Sequence, residues 1–165
     1  MEKAIKKDKT MLAVGTKAPE FSLPNQNGEQ VSLSNFIGKW VILYFYPKAL
    51  TPGCTVQACA LAEHKNELDK LNAVAVGVSA DKDSLLKRFE EKKELNFTLL
   101  GDTSQNQQTL KLYEAWGPKK FMGREYDGIH RITYIIDPKG NIAHTIEKVK
   151  TKTHHEEVIE FLKGA

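Results

Sequence analysis

The residues most suited to chemistry in this chain are its two cysteines, Cys54 and Cys59. A cysteine reacts as a nucleophile once it is ionised to the thiolate, and the positive end of a helix favours that ionised form. Cys54 follows a loop that contains Pro and Gly and begins a pattern of apolar residues at helical spacing, so we expect it at a helix N-terminus. A cysteine that merely fills space in a core is the alternative, but the loop and the helix start favour a reactive thiol.

The spacing of the two cysteines excludes several familiar arrangements. Two cysteines are too few for a disulfide scaffold, and Cys54-x4-Cys59 is neither the C-x-x-C of dithiol reductases nor a common zinc pattern. In an intact helix, five residues rise about 7.5 Å and turn through about 140°, which places the two Cα atoms roughly 8.6 Å apart. A disulfide needs a Cα separation of about 4.4–6.8 Å, so a bond between these sulfurs requires local unwinding of the helix.

The elements that must position Cys54 follow from the hydrophobic periodicity. Val41–Tyr46 and Ala73–Ser79 are continuous apolar runs, typical of strands that are buried on both faces. Phe21–Leu23 and Val31–Leu33 alternate around a turn signal and predict a β-hairpin. The other predicted elements are helices over Cys54–Leu71, Asp81–Glu94 (with Asp81 or Ser84 as its cap), Gln105–Trp116 and Thr153–Leu162, and strands over Phe97–Leu100, Arg131–Asp137 and Asn141–Ile146. This order predicts a thioredoxin-like α/β sandwich, with a central mixed β-sheet flanked by helices and an N-terminal β-hairpin.

Length, charge and hydropathy narrow the class of protein. The 165 residues suit one domain, and residues 1–10 carry four Lys against two acids, so residues 11–165 are nearly neutral and show no basic stripe for nucleic acid. The apolar stretch Trp40–Tyr46 is far shorter than the roughly 20 residues that span a bilayer, and Met11–Val14 is too short for a secretion signal. We therefore expect a basic, disordered extension over residues 1–10 and a single cytoplasmic domain over residues 11–165, without nucleic-acid or membrane partners.

The segment that ends at Cys54 has a recognisable pattern. Pro47-Lys48-Ala49-Leu50-Thr51-Pro52-Gly53-Cys54 reads P-x-x-x-T-x-x-C, which resembles the active-site pattern of the peroxiredoxins. More narrowly, YFYPKALTPGCTVQAC (residues 44–59) is similar to the bacterioferritin comigratory protein branch of that family, also called peroxiredoxin Q. Further similar segments are APEFSLP (18–24), GVSADK (77–82), NFTLLGD (96–102) and HRITYIIDPKG (130–140), so the resemblance covers the chain from about Leu12 onward.

The resemblance implies a thiol peroxidase that reduces hydrogen peroxide and organic hydroperoxides without a metal, haem or flavin. Cys54 is then the peroxidatic cysteine, whose thiolate attacks the O–O bond and becomes a sulfenic acid. In the family pattern the Thr51 hydroxyl hydrogen-bonds the thiolate and the peroxide, Pro47 shields the site from water, and Arg131 stabilises the thiolate and the transition state. The backbone N–H groups of Gly53 and Cys54 bind the peroxide oxygen.

The resemblance also implies a role for the second cysteine. One subgroup of the branch carries its second cysteine at this spacing, so Cys59 is expected to be the resolving cysteine. It would form an intramolecular disulfide with Cys54, which thioredoxin or a similar dithiol would reduce. The alternative is that Cys59 is a buried core residue and that another thiol resolves Cys54. Because the branch is often monomeric, a monomer is expected.

The sequence departs from the family pattern at two places. Gln57 stands where many peroxiredoxins have Glu, and Ala49-Leu50 stands where many members of the branch have two acids. Gln57 keeps its hydrogen-bonding capacity but lacks a charge that would help to hold Arg131. We expect these departures to retune reactivity or peroxide preference without abolishing activity.

A second interpretation of the cysteine pair is a redox sensor, in which the disulfide unwinds a helix and signals to a partner. Turnover distinguishes the two, because a sensor oxidises once and slowly whereas a peroxidase consumes many equivalents of peroxide. A third, a thiol–disulfide oxidoreductase, is disfavoured because C-x4-C lacks the spacing of C-x-x-C.

Other residues give weaker signals. Trp116, Phe121 and Tyr126 lie in a segment that is also similar to the family, and they either wall the pocket or pack in the core. The five histidines show no spacing that is typical of metal ligands.

Overall fold

The computed structural model of this protein describes residues 11–165, and the prediction for residues 1–10 falls outside them. In chain order its elements are β1 (Ser22–Pro24), β2 (Gln30–Ser32), β3 (Trp40–Phe45), α1 (Pro52–Glu63), α2 (Lys65–Lys70), β4 (Ala73–Ser79), α3 (Asp83–Lys93), β5 (Thr98–Gly101), α4 (Gln108–Leu112), β6 (Trp116–Phe121), β7 (Arg124–Ile129), β8 (Thr133–Ile136), β9 (Ile142–Ile146) and α5 (His154–Gly164). A 3-10 turn over Leu33–Phe36 follows β2. Among the described residues no helix is long and apolar enough to cross a bilayer.

A five-stranded mixed sheet in the order β5-β4-β3-β8-β9 forms the centre of the fold. Strand β3 pairs in parallel with β4 and antiparallel with β8, and the latter register places Tyr44 opposite Thr133. Strands β1 and β2 form the N-terminal hairpin, with Leu23 opposite Val31. The predicted mixed sheet, flanking helices and N-terminal hairpin are confirmed.

The central strand is continuous in apolar residues because both faces of the sheet are covered. Successive side chains of a strand point to opposite faces, so Ile42 and Tyr44 face one core cluster while Leu43 and Phe45 face another. Helix α1 packs on the first of these faces through residues at helical spacing, namely Cys54, Ala58 and Leu61. The apolar face of α1 therefore carries Cys54 into the core.

Two of the predicted helices have different bounds in the structure. The helix predicted over Cys54–Leu71 is divided at His64, which has φ −104° and ψ 18° and separates α1 from α2. The helix predicted over Gln105–Trp116 is wrong over most of its length. Helix α4 is short, Glu114 adopts a left-handed φ of 57°, and the following Gly-Pro pair continues as strand β6.

The hairpin of β6 and β7 was not predicted. Its turn is made by Met122 and Gly123, both at positive φ, and Met-Gly is not among the residue pairs that typically signal such a turn. Phe121 is 64% exposed and Tyr126 is also exposed, so neither packs in the core, whereas Trp116 at the base of the hairpin packs against the second core cluster.

His154, the first residue of α5, is buried beside the sheet, and its Nε2 lies 2.9 Å from Thr133 Oγ1. Burial, with smaller contributions from His155 and Arg131, lowers the pKa of His154 to about 4. In the unfolded chain the pKa of a histidine is about 6.5. The unfolded state therefore binds an extra proton between these two values, and the stability of the fold falls as the pH drops through that range.

We predict that this single group removes about 2 kcal/mol from the free energy of unfolding between about pH 7 and about pH 5. Urea unfolding of the wild type and of His154→Gln at both pH values measures it, and the variant should lose this share of the pH dependence. His144→Gln, on β9, is the matched control and should keep the wild-type slope. Equal slopes for His154→Gln and the wild type would contradict the assignment.

Candidate active site

Cys54 is the third residue of α1, as the sequence predicts for a helix N-terminus. Pro52 occupies the first helical position, which suits its fixed φ and missing N–H, and Thr51 precedes it in an extended conformation. The Cys54 side chain is 1% exposed. A buried sulfur at this end of the helix lies in the positive field of the helix dipole, which favours a thiolate.

Arg131 provides a second positive charge at the sulfur. Its Nη2 donates to Cys54 Sγ at 3.4 Å, and its Nη1 donates to Gln57 Oε1 at 2.9 Å. The two partners Arg131 and Cys54 are 77 positions apart in the sequence. They meet because β8 starts two residues after Arg131 and pairs with the end of β3, from which the loop to α1 leads directly to Cys54.

Thr51 makes a different hydrogen bond from the one predicted. Its hydroxyl donates to the Lys48 carbonyl at 2.7 Å. A hydroxyl has one hydrogen to donate, so the Thr51 hydrogen is not available to the sulfur in this arrangement. The Thr51 hydroxyl donates its hydrogen to the Lys48 carbonyl within the turn of the loop. The Thr51 oxygen keeps lone pairs that can accept a hydrogen bond from a peroxide O–H.

The amides of the first turn of α1 are arranged to bind an anion. Thr55 N–H makes the first i→i−4 bond, to the Thr51 carbonyl at 2.9 Å, so Gly53 and Cys54 N–H precede the hydrogen-bonded part of the helix. A Cβ at Gly53 would lie 3.5 Å from Arg131 Nη2 and 3.7 Å from Thr151 Cγ2. A side chain at position 53 would therefore contact both the Arg131 guanidinium and Thr151.

The remaining predicted residues take up positions nearby. Pro47 is half-buried and follows the end of β3, where the loop begins. Cys59 is half-buried in the same helix as Cys54 and packs against the same core cluster. Both thiols are free, and α1 is continuous across them, so the helix must open before the sulfurs can bond.

Sequence reasoning missed the role of Asp81. It was expected as a possible cap of the following helix, but α3 starts at Asp83 with Lys82 as its N-cap. The Asp81 carboxylate instead accepts the Ala49 N–H at 2.8 Å. The signal was available in the topology, because the carboxyl ends of the parallel strands β3 and β4 meet at the same edge of the sheet.

Comparison with known proteins agrees with this architecture. Residues 14–145 match the AhpC/TSA family. The chain is 53% identical over 153 residues to the putative peroxiredoxin bcp of Haemophilus influenzae, covering 93% of this chain and 97% of that one. It is 51% identical over 152 residues to peroxiredoxin Bcp of Escherichia coli, covering 92% and 96%.

Solved structures show the same fold. A mutant of Xylella fastidiosa peroxiredoxin Q superposes with a TM-score of 0.87 at 26% identity, covering 94% of this chain and 98% of that one. The bacterioferritin comigratory protein of Xanthomonas campestris, which has alkyl peroxide reduction activity, gives a TM-score of 0.81 at 30% identity, covering 87% and 90%.

The chain therefore belongs to the AhpC/TSA family and is a peroxiredoxin, a thiol peroxidase with a thioredoxin-like fold. Its relatives place it within the bacterioferritin comigratory protein, or peroxiredoxin Q, branch of that family. The family and fold predicted from the sequence are confirmed.

The neutral amide beside Arg131 has a testable consequence. A carboxylate at position 57 would pair with the guanidinium and weaken the positive field that acts on Cys54 Sγ. We predict that Gln57→Glu slows oxidation of Cys54 by hydrogen peroxide at neutral pH by about tenfold, because the paired guanidinium stabilises the reacting sulfur and the leaving oxygen less. Rapid-quench sampling followed by mass spectrometry measures this rate.

Gln108→Glu makes the same charge change at the exposed start of α4 and serves as the control. It should oxidise at the wild-type rate. If Gln57→Glu also oxidises at that rate, the amide does not set the charge at the sulfur.

Proposed function

We propose that this peroxiredoxin reduces hydrogen peroxide and organic hydroperoxides through a Cys54 sulfenic acid and a Cys54–Cys59 disulfide, which thioredoxin or a similar dithiol reduces. The contact that supports the proposal most strongly is the 3.4 Å hydrogen bond from Arg131 to Cys54 Sγ. In this proposal residues 11–165 act as one catalytic domain, as a cytoplasmic monomer. The cycle needs no metal, haem or flavin, and no nucleic-acid or membrane partner.

The first step is attack of the Cys54 thiolate on one peroxide oxygen. An S–O bond forms, the O–O bond breaks, and the departing oxygen leaves as hydroxide or alkoxide and takes a proton to give water or an alcohol. The Arg131 guanidinium and the first-turn amides of Gly53 and Cys54 stabilise the negative charge as it moves to the leaving oxygen. Thr51 accepts the peroxide O–H hydrogen bond, and Pro47 limits access of water.

The second step joins the two cysteines. The Cys59 thiol attacks the sulfenic sulfur of Cys54, forming the S–S bond and releasing water. The sulfenic acid is neutral, so it loses the attraction of the helix dipole and the guanidinium that the thiolate enjoys. Oxidation therefore removes part of the stabilisation of the first turn of α1, which makes the unwinding that the disulfide requires easier.

The third step returns the enzyme to the dithiol form. A dithiol donor attacks the Cys54–Cys59 disulfide, passes through a mixed disulfide and leaves oxidised, so that two electrons reach this chain. Pro52 and Val56, on the α1 turns next to Cys54, are exposed, which gives the donor an apolar surface at the point of attack.

A coupled assay with thioredoxin, its reductase and NADPH tests the cycle. The wild type should consume many equivalents of hydrogen peroxide, and Cys54→Ser should consume none above background because the nucleophile is gone. Cys59→Ser should oxidise once at close to the wild-type rate but form no intramolecular bridge, as mass spectrometry after one equivalent of peroxide would show.

The results that would contradict the cycle are specific. Full turnover by Cys54→Ser would remove Cys54 from the chemistry. A wild type that forms no Cys54–Cys59 bridge would leave Cys59 without a resolving role. A wild type that oxidises once and does not turn over would indicate a redox sensor.

A further inference from the structure

The buried carboxylate of Asp81 is not used in the proposed chemistry, yet it is bonded to the loop that precedes Cys54. Asp81 is 7% exposed. Its Oδ2 accepts the Ala49 N–H at 2.8 Å and the Ser79 hydroxyl at 2.8 Å, and its Oδ1 lies 3.5 Å from Lys48 Nζ. A buried carboxylate is stable only when it is hydrogen-bonded or paired, and here the bond from the Ala49 N–H ties the loop to the end of β4.

Asp81 is itself held from two sides. Its backbone N–H donates to Ser79 Oγ at 3.3 Å. On β5, a Cβ at Gly101 would lie 2.1 Å from the Asp81 carbonyl oxygen, so the two backbones pack in direct contact there. Asp81 is therefore held in a fixed position just after the carboxyl end of β4, and the loop can be positioned relative to it.

The loop needs such a fixed point because it contains a strained residue. Leu50 has a φ of 68°, in the left-handed region that non-glycine residues seldom adopt. Such a conformation persists only where the surrounding contacts enforce it. The Ala49 N–H bond to Asp81 and the Thr51 hydroxyl bond to the Lys48 carbonyl lie on either side of Leu50 and hold this turn.

We propose that Asp81 is a positioning residue for peroxide reduction. By holding the Ala49 N–H it fixes the turn at Leu50, and through that turn it places Thr51 and the first-turn amides of α1 around the incoming peroxide. The proposal rests on the proposed function, in which Cys54 attacks the peroxide at this place. Asp81 acts on the geometry of peroxide binding, whereas Arg131 acts on the charge of the sulfur.

The acceptor oxygen of Asp81, and not its charge, performs this role. Lys48 is 63% exposed in its side chain, and an ion pair with such a mobile partner contributes little. An asparagine at position 81 keeps an oxygen that can accept the Ala49 N–H, whereas an alanine leaves that N–H buried without a partner. The two substitutions therefore separate the hydrogen bond from the charge.

The experiment compares two reactions of Cys54 in the reduced full-length protein, oxidation by hydrogen peroxide and alkylation by iodoacetamide. Both consume the thiolate, but alkylation does not use the peroxide-binding groups. We expect Asp81→Ala to slow oxidation by at least about 30-fold and alkylation by less than about threefold, since a small misplacement of binding groups costs up to about 100-fold in rate. Asp81→Asn and the matched control Lys48→Met should stay within about threefold of the wild type in both reactions.

Three outcomes would overturn the proposal. The first is a folded Asp81→Ala variant that oxidises at the wild-type rate. The second is a variant in which oxidation and alkylation slow by the same factor, which would mean that Asp81 acts on the thiolate or on the fold in general. The third is an Asp81→Asn variant that does not recover the wild-type oxidation rate. If Asp81→Ala does not fold, Asp81→Ser gives the same test, because its shorter side chain does not reach the Ala49 N–H.

Failure of the proposed function would be recognised separately. In that case the wild type itself would form no sulfenic acid at Cys54, whereas failure of the Asp81 proposal appears in the variants while the wild type still reacts.

Discussion

The contact between Arg131 and Cys54 is the interaction on which the site depends. A sulfur that is almost completely buried would be costly to ionise in an apolar core, because water does not solvate the anion there. The guanidinium at 3.4 Å and the N-terminus of α1 replace that solvation with fixed positive charge. In the proposed mechanism, the same charges that favour the thiolate also favour the oxyanion that leaves when the O–O bond breaks.

Two neutral polar groups lie near this pair. The Gln57 amide orients one arm of the guanidinium without cancelling its charge. Burial and nearby positive charge keep His154 uncharged at neutral pH, so it packs on the sheet as a hydrogen-bonding neighbour of Thr133, two residues after Arg131. The site thus keeps the positive charge of Arg131 directed at the sulfur, at the expense of fold stability in acid.

The sequence predicted those parts of the fold that local patterns determine. The buried strands β3 and β4 are continuous apolar runs because each is covered on both faces. Cys54 lies at a helix start, as the Pro-Gly loop followed by apolar residues at helical spacing indicates. The hairpin of β6 and β7 was missed because its Met122-Gly123 turn lacks the usual signal. The helix predicted just before it, over Gln105–Trp116, is cut short because Glu114 adopts a positive φ and the chain enters β6 at Trp116.

The contacts within the site could be predicted only in part. Residues 77 positions apart cannot be placed together from spacing, so the pairing of Arg131 with Cys54 came from the resemblance to a family. The bond from Ala49 to Asp81 has no such precedent in the sequence pattern and needed the sheet topology. The Thr51 hydroxyl turned toward the loop carbonyl because a hydroxyl rotates to whichever acceptor the backbone presents.

The most direct measurement is the thiolate absorbance of Cys54 at neutral pH, taken as the difference from Cys54→Ser, in the wild type and in Arg131→Met, together with the rate of oxidation by hydrogen peroxide. Arg131→Met, once shown to be folded, should lose most of the thiolate signal and oxidise about 100-fold more slowly, because the fixed positive charge beside the sulfur is gone. Arg131→Lys, which keeps the charge but not the forked geometry, should fall between the two. A folded Arg131→Met with the thiolate signal and oxidation rate of the wild type would contradict the account.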